Sequence, residues 1–171
     1  MLRQLKSFFV DKQFSKKRDF LRSLSIFKGL GSQELGYLLQ SFHTRTYHEG
    51  EALFVEGDIG RALFIVETGK VELTKRGQDG KPQALAVLGP GSFFGEMALL
   101  EQLPRSASAH AAERSSLLLL YRAKLDEMLH SHPRIGIAIM THLARLLSSR
   151  LRKTSQELTT VGSDSRPQSK A

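Results

Sequence analysis

The chain has 171 residues, a net charge of +8 and no cysteine. That length bounds it to one domain, or one domain with helical extensions, with enough chain to bury a core without staples. The missing cysteines exclude a disulfide framework, a thiolate zinc site and a cysteine nucleophile, and suit a reducing compartment. The longest wholly apolar stretch, Leu117–Tyr121, is too short to span a bilayer. The N-terminus shows neither the apolar run nor the small-residue cleavage site of a secretory signal, so a cytoplasmic protein is expected. The charge sits at the two ends: residues 1–28 carry +6, residues 134–153 carry +5, and the remainder sums to −3. Such ends suit a solvated helix face, or contact with nucleic acid, an anionic membrane or an acidic partner.

Residues 1–42 contain no proline and have helical spacing. Leu2, Leu5 and Phe9 share one face; further on, so do Leu21, Leu24 and the stem of Lys28. Phe8, Phe9, Phe14 and Phe20 are interspersed among the basic residues. Packing of this segment against the rest of the chain is expected; a membrane-surface or partner-docking helix over 1–24 is the alternative. After Gly29 and Gly31 a second helix fits Ser32–Phe42, with Ser32 as N-cap and Leu35, Leu38, Leu39 and Phe42 on one face. From Thr44 to Tyr121 short strands alternate with glycines. They are predicted at Leu53–Val55, Leu63–Val66, Val71–Thr74, Leu85–Leu88, Ser106–Ala111 and Leu117–Tyr121, with Asp79-Gly80 as a hairpin turn. Many short strands argue for a closed or double-sheet β architecture, which solves the problem of exposed edges. The end is helical again, at Lys124–His130 and then from Pro133 to about Leu158, where Ile135, Ile139, Leu143, Leu146, Leu147, Leu151 and Leu158 form an apolar stripe. The expected organisation is a basic helical extension over 1–26, a domain over 27–158 (barrel about 43–121, C-terminal helices about 122–158) and a polar tail over 159–171, disordered from Gly162.

The chemistry concentrates between Gly89 and Ala109. Gly95 permits close approach of the backbone to a ligand. Glu96–Leu100 can form one helical turn whose free N–H groups face an anion. Arg105 offers a fork of donors suited to phosphate, and Ser106 adds a hydroxyl. Glu96 can accept from a sugar hydroxyl. Together these suit a ribose phosphate. The plain alternatives are a surface pair of Arg105 with Glu101, a helix-terminal role for Glu96 and an ordinary strand position for Ser106.

The run Phe94-Gly-Glu-Met-Ala-Leu-Leu100, followed by Pro104-Arg-Ser-Ala-Ser108, resembles the phosphate-binding cassette of cyclic-nucleotide-binding domains. Those domains occur in bacterial catabolite activator proteins, regulatory subunits of cAMP-dependent protein kinase and cyclic-nucleotide-gated channels. The stretches Glu49–Asp58 and Ala62–Leu73 resemble the family's glycine-punctuated early strands, and the likeness covers about 27–151. The spacing of Glu96 and Arg105 is closer to the kinase-subunit and channel version. The resemblance implies an α+β, mainly β fold: an eight-stranded jelly-roll-like β-roll with N-terminal helices and two C-terminal helices, the last one long. It implies a non-catalytic sensor with no cofactor or metal. Arg105 would pair with the cyclic phosphate, cradled by Ser106 and the backbone of Gly95 and Ala98, while Glu96 accepts from the ribose 2′-hydroxyl. Phe94, Met97 and Ala107 complete the cassette. Leu73, Leu85 and Ala86 match strand positions that line the base pocket; by residue type alone they read as core. The base cap would come from the last helix, where Leu146, Leu147 and Arg150 lie; Arg150 is the first choice. A small residue beside the arginine is usual for cAMP; the Ser106 hydroxyl can also assist a guanine base in the syn orientation. The ligand expected is cAMP, ahead of cGMP or another cyclic nucleotide.

Three other readings compete. A cupin-type enzyme would need converging histidines; His43 and His48 have opposite parity along a strand, and His43, His48 and His110 form no His-x-His pair. A catabolite-activator-type DNA regulator places a helix-turn-helix after the long helix, and only about ten polar residues remain here, so a DNA role would rest on basic residues alone. A nucleotide-free scaffold would leave Glu96 and Arg105 without a purpose. The expected output is movement of 133–158 that signals to an effector protein, with the leucine stripe either packed on the barrel or paired with a second copy as a homodimer.

Overall fold

The apolar runs at 62–66 and 117–120 lack polar alternation, the pattern of strands covered on both faces. In the computed structural model, which describes residues 14–101 and 103–164 (for Ala98 and 157–164 the backbone only), both runs are central strands. One four-stranded sheet has the order β1-β8-β3-β6, built from β1 (His43–Tyr47), β8 (Ser115–Tyr121), β3 (Ala62–Thr68) and β6 (Phe93–Phe94). The second has the order β2-β7-β4-β5, from β2 (Ala52–Phe54), β7 (Ser108–Ala111), β4 (Val71–Arg76) and β5 (Pro82–Leu88). All pairings are antiparallel. The helices are α1 (described over 14–23), α2 (Ser32–Ser41), α3 (Glu96–Glu101), α4 (Arg122–Ser131) and α5 (Pro133–Asp164), with a 3₁₀ turn at Ser25–Phe27. This is the eight-stranded roll expected.

Strand alternation divides the interior in two. Ala62, Phe64 and Val66 of β3, Leu117 and Leu119 of β8 and Phe94 of β6 point into the roll, against Val71, Ala109 and Ala111. Their neighbours Leu63, Ile65, Leu118, Leu120 and Phe93 point the other way, onto Leu21 of α1, Leu24 and Phe27 beyond it, Leu35 and Leu38 of α2, Leu125 and Met128 of α4, and Ile135, Ile139 and Leu143 of α5. One sheet is therefore the shared wall of two cores. At the α4–α5 corner, a Cβ on Gly136 would lie 2.9 Å from the Leu129 Cα, so the two helices meet closely only because that position has no side chain.

Several local expectations change. β1 was not assigned because His43-Thr-Arg-Thr-Tyr47 is mostly exposed, with only Tyr47 buried; its pairing to β8 rests on backbone hydrogen bonds. β6 is two residues long, too short for any pattern. The N-cap of α2 is Gly31, not Ser32, which is the first helical residue; the Glu34 carboxylate accepts the Gly31 N–H at 2.7 Å. Lys28 is exposed, because the change to 3₁₀ geometry rotates Phe27 into the core instead. α5 does not stop at Leu158 but runs to Asp164, so the polar tail drawn from 159 begins as helix. No proline occurs between Pro133 and Pro167, and each residue added to an existing helix gains a hydrogen bond without a new nucleus. The predicted face of Leu2, Leu5 and Phe9, Phe8, and the tail at 165–171 lie outside the described residues.

Leu118 is fully buried between the sheet and the helices, whereas Val87 is 61% exposed on β5. Leu118→Ala is expected to cost about 2–5 kcal/mol and Val87→Ala within about 0.5 kcal/mol, read from urea unfolding midpoints. Equal losses would contradict the two-core packing.

Candidate functional site

Adjacent residues of β6 face opposite cores, and the chain leaves that strand directly into the candidate site. Phe94 stacks on Phe64 inside the roll, with ring centroids 5.1 Å apart, while Phe93 packs on His142 of α5 at 4.6 Å. Burial, with the nearby Arg145 charge, lowers the pKa of His142. Gly95 follows with φ +77°, in the left-handed region that glycine favours, and a Cβ there would lie 2.5 Å from Arg105 Nη1. α3 begins at Glu96.

Arg105 lies between α3 and β7, and its backbone is pinned reciprocally to the turn after β2. Its N–H donates to the Asp58 carbonyl at 2.8 Å, and its carbonyl accepts from the Gly57 N–H at 2.9 Å. The side chain turns inward and is only 6% exposed. Nη1 donates to the Gly95 carbonyl at 2.8 Å and Nη2 to the Ala62 carbonyl at 2.9 Å. The guanidinium lies 4.2 Å from the Phe54 ring centroid and 5.4 Å from that of Phe64. Burial lowers its pKa, opposed by the more distant charges of Glu96 and Asp58. No ion pair to Arg105 occurs among the described residues, so the surface pair with Glu101 is not formed.

Glu96 is 1% exposed. Its Oε1 accepts from Arg150 Nη1 of α5, and Arg150 Nη2 donates to the Phe93 carbonyl at 3.2 Å. Its Oε2 is buried with no hydrogen-bond partner among the described residues. A buried carboxylate oxygen left in this condition is costly unless a donor reaches it.

One cavity gathers most of the predicted residues. Phe94, Gly95, Glu96 and Met97 line it from the cassette, Arg105, Ser106 and Ala107 from the approach to β7, Leu73 and Leu85 from the second sheet, and Arg150 from α5. Ser106 is exposed, with its hydroxyl 3.9 Å from the Met97 sulfur. Ala86 pairs with Leu73 across β4 and β5 but does not line the cavity. The register skips from Leu73↔Ala86 to Thr74↔Ala84, so Leu85 is the extra residue of a bulge and is the one presented there. Ala98 belongs to α3, and its side chain is outside the described residues. Arg150 lines the cavity, held by Glu96; Leu146 packs against the helical core. Phe54 lines the cavity too and was not anticipated. The signal available was its alternation within the strand Leu53–Val55, which turns Phe54 to the side opposite its neighbours.

Among the described residues, the arrangement presents a buried cation that forms no ion pair beside a buried carboxylate oxygen that has no hydrogen-bond donor. Its walls are otherwise largely apolar. Comparison with known proteins places that geometry. The cyclic nucleotide-binding domain profile matches residues 44–132. The chain is 39% identical over 138 residues to the cyclic AMP receptor protein of Thermus thermophilus, a span of 81% of this chain and 62% of that protein. It is 34% identical over 110 residues to the cAMP-dependent protein kinase regulatory subunit of Yarrowia lipolytica, covering 64% of this chain and 28% of that one. Among solved structures, the Thermus thermophilus catabolite activator protein matches with a TM-score of 0.71, over 80% of this chain and 62% of that one. A cyclic nucleotide-binding domain from Methylobacillus flagellatus matches with a TM-score of 0.76 at 27% identity, over 88% and 84% of the two chains. The chain thus spans less than two thirds of the length of the Thermus relative. With the family profile, the relatives and the solved structures in agreement, the chain belongs to the cyclic nucleotide-binding domain family.

Proposed function

We propose that this protein is a non-catalytic sensor of cAMP. The observation that carries the proposal is Arg105, a 6%-exposed guanidinium that lines a cavity and forms no ion pair among the described residues. A buried charge is costly unless it is paired, and a cyclic phosphate supplies the pairing as charge-assisted hydrogen bonds. Glu96 Oε2 supports a ribose in the same ligand, since a sugar hydroxyl is a donor of the right type. The preference for adenine is supported by the relatives: one is named a cyclic AMP receptor protein, another a cAMP-dependent kinase subunit. The Ser106 hydroxyl leaves cGMP as the nearest competitor. No cofactor or metal enters this reading.

The relay follows from the two oxygens of one carboxylate. Arg150 holds Oε1 from α5, and a ribose hydroxyl would take Oε2. A bound ligand then polarises and positions the group that anchors α5. Two arrangements of α5, docked and undocked, would be biased by their different affinities for the nucleotide. The output surface is α5 itself. Its core-facing residues Ile135, Ile139 and Leu143 are buried, while Ile137 and Leu151 on the other side are 60% and 68% exposed. Ile137, Met140, Ala144, Leu147 and Leu151 recur at alternating spacings of three and four, the pattern of a coiled-coil seam. A second copy or an effector helix would cover it. The expected compartment is the cytoplasm; no described helix is long and apolar enough to cross a membrane.

Isothermal titration calorimetry with cAMP and cGMP tests the ligand. Wild-type protein should bind cAMP more tightly, and Arg105→Ala should lose affinity on the order of 100-fold, the worth of two charge-assisted hydrogen bonds. A folded wild type that ignores both nucleotides would sink the proposal. For the relay, Arg150→Ala should weaken cAMP binding by roughly tenfold or less and raise amide exchange along 144–156 in the free protein. Unchanged exchange there would separate α5 from the site. For the seam, light scattering should show a dimer that Leu151→Lys converts to monomer; a monomeric wild type would leave the effector helix as its occupant.

A further inference from the structure

Arg105 must hold its orientation before any anion arrives, and its two hydrogen bonds fix only the edge of the guanidinium. The Gly95 and Ala62 carbonyls take one donor from each terminal nitrogen. Two rings lie close to the guanidinium carbon, Phe54 at 4.2 Å and Phe64 at 5.4 Å, both within the range where a cation is attracted to an aromatic face. Of the two, Phe64 is buried in the roll, while Phe54 lines the cavity.

The fold aims Phe54 at this position. It ends β2, an edge strand, and the pairing of β2 with β7 shifts register between Ala52 and Phe54. Such an irregularity redirects a side chain locally. The ring is then set by aromatic neighbours on the roll side, tilted against Phe64 at 5.4 Å and Phe94 at 6.1 Å. The turn that follows Phe54 includes Gly57 and Asp58, whose backbone pins Arg105. One short segment therefore holds both the main chain and the guanidinium of the same arginine.

We propose that Phe54 is a positioning residue of the phosphate site: its ring face keeps the Arg105 guanidinium aimed into the cavity while no anion is bound. The proposal deepens the cyclic-nucleotide reading and rests on it. Phe54 need not touch the phosphate itself. It reduces the reorganisation that Arg105 would otherwise undergo on binding, which is how preorganisation raises affinity.

The test compares wild type with Phe54→Leu, which keeps an apolar side chain without a ring, and Phe54→Tyr, which keeps the ring. Two quantities are read: cAMP affinity by calorimetry, and the NMR position of the Arg105 Nε–Hε pair in the free protein, which a ring above the guanidinium displaces by its ring current. Phe54→Leu should weaken cAMP binding roughly tenfold and move the Arg105 signal toward its random-coil position, with Phe54→Tyr close to wild type in both. Wild-type affinity in Phe54→Leu would overturn the inference. So would weakened binding in both variants with the Arg105 signal unmoved, since that pattern belongs to packing alone. If Phe54→Leu does not fold, Phe54→Met is read in its place. A wild type that binds no cAMP would sink the ligand reading, and the Arg105 signal would still decide whether Phe54 positions the guanidinium.

Discussion

A buried guanidinium that forms no ion pair among the described residues is the constraint around which this molecule is arranged. The Arg105 guanidinium donates to two carbonyls and lies close to two aromatic rings, and its own backbone is tied to the turn at Gly57–Asp58. None of those partners neutralises the charge. Removing a charge from water without pairing it is among the costliest things a fold can do, which is why the proposed ligand is an anion at the same spot. Gly95 is part of the same arrangement, since any side chain there would displace the Arg105 guanidinium.

The second organising element is the sheet shared by two cores. β3 and β8 present alternate residues to the roll and to the helices, which keeps the interior of the roll separate from the helical layer. The two sides communicate where that wall ends. At β6, Phe93 touches α5 through His142, Phe94 belongs to the roll, and two residues later Glu96 is joined to Arg150. α3 and α5 are therefore joined directly, without packed side chains of the sheet between them.

α4 adds a further tie. The Arg122 guanidinium, clamped by Asp126 at 2.8 Å and 3.0 Å, donates to the Leu99 and Leu100 carbonyls at the end of α3. Cationic donors at a helix C-terminus satisfy carbonyls that have no partner within the helix. The cassette helix is consequently gripped at its start by Arg150 of α5 and at its end by Arg122 of α4. Both grips are polar and partly exposed, properties of contacts that can exchange rather than of a permanent core.

Much of this was legible in the chain. Glycine-punctuated apolar runs pointed to the roll, because strand periodicity and glycine geometry are local properties, and the cassette was legible through its family resemblance; of the predicted stripe in α5, Ile135, Ile139 and Leu143 are buried, whereas Leu151 is exposed. β1 stayed hidden because its pairing uses backbone groups, which are identical in every residue, and β6 because two residues carry no period. Arg105 could be chosen from sequence as the anion ligand, but whether it faced solvent or interior was undetermined, since burial is set by the turn at Gly57–Asp58 and by strands distant in sequence. Phe54 was read as part of a strand, and only a register shift against β7 brings it under the guanidinium. The same holds for the partner of Glu96: sequence placed Arg150 near the ligand, and tertiary structure decided that it would reach the carboxylate. The sequence by itself determined which groups carry the chemistry; the packing of sheets and helices decided which of them meet, because contacts across long separations depend on register and crossing geometry that no local pattern records.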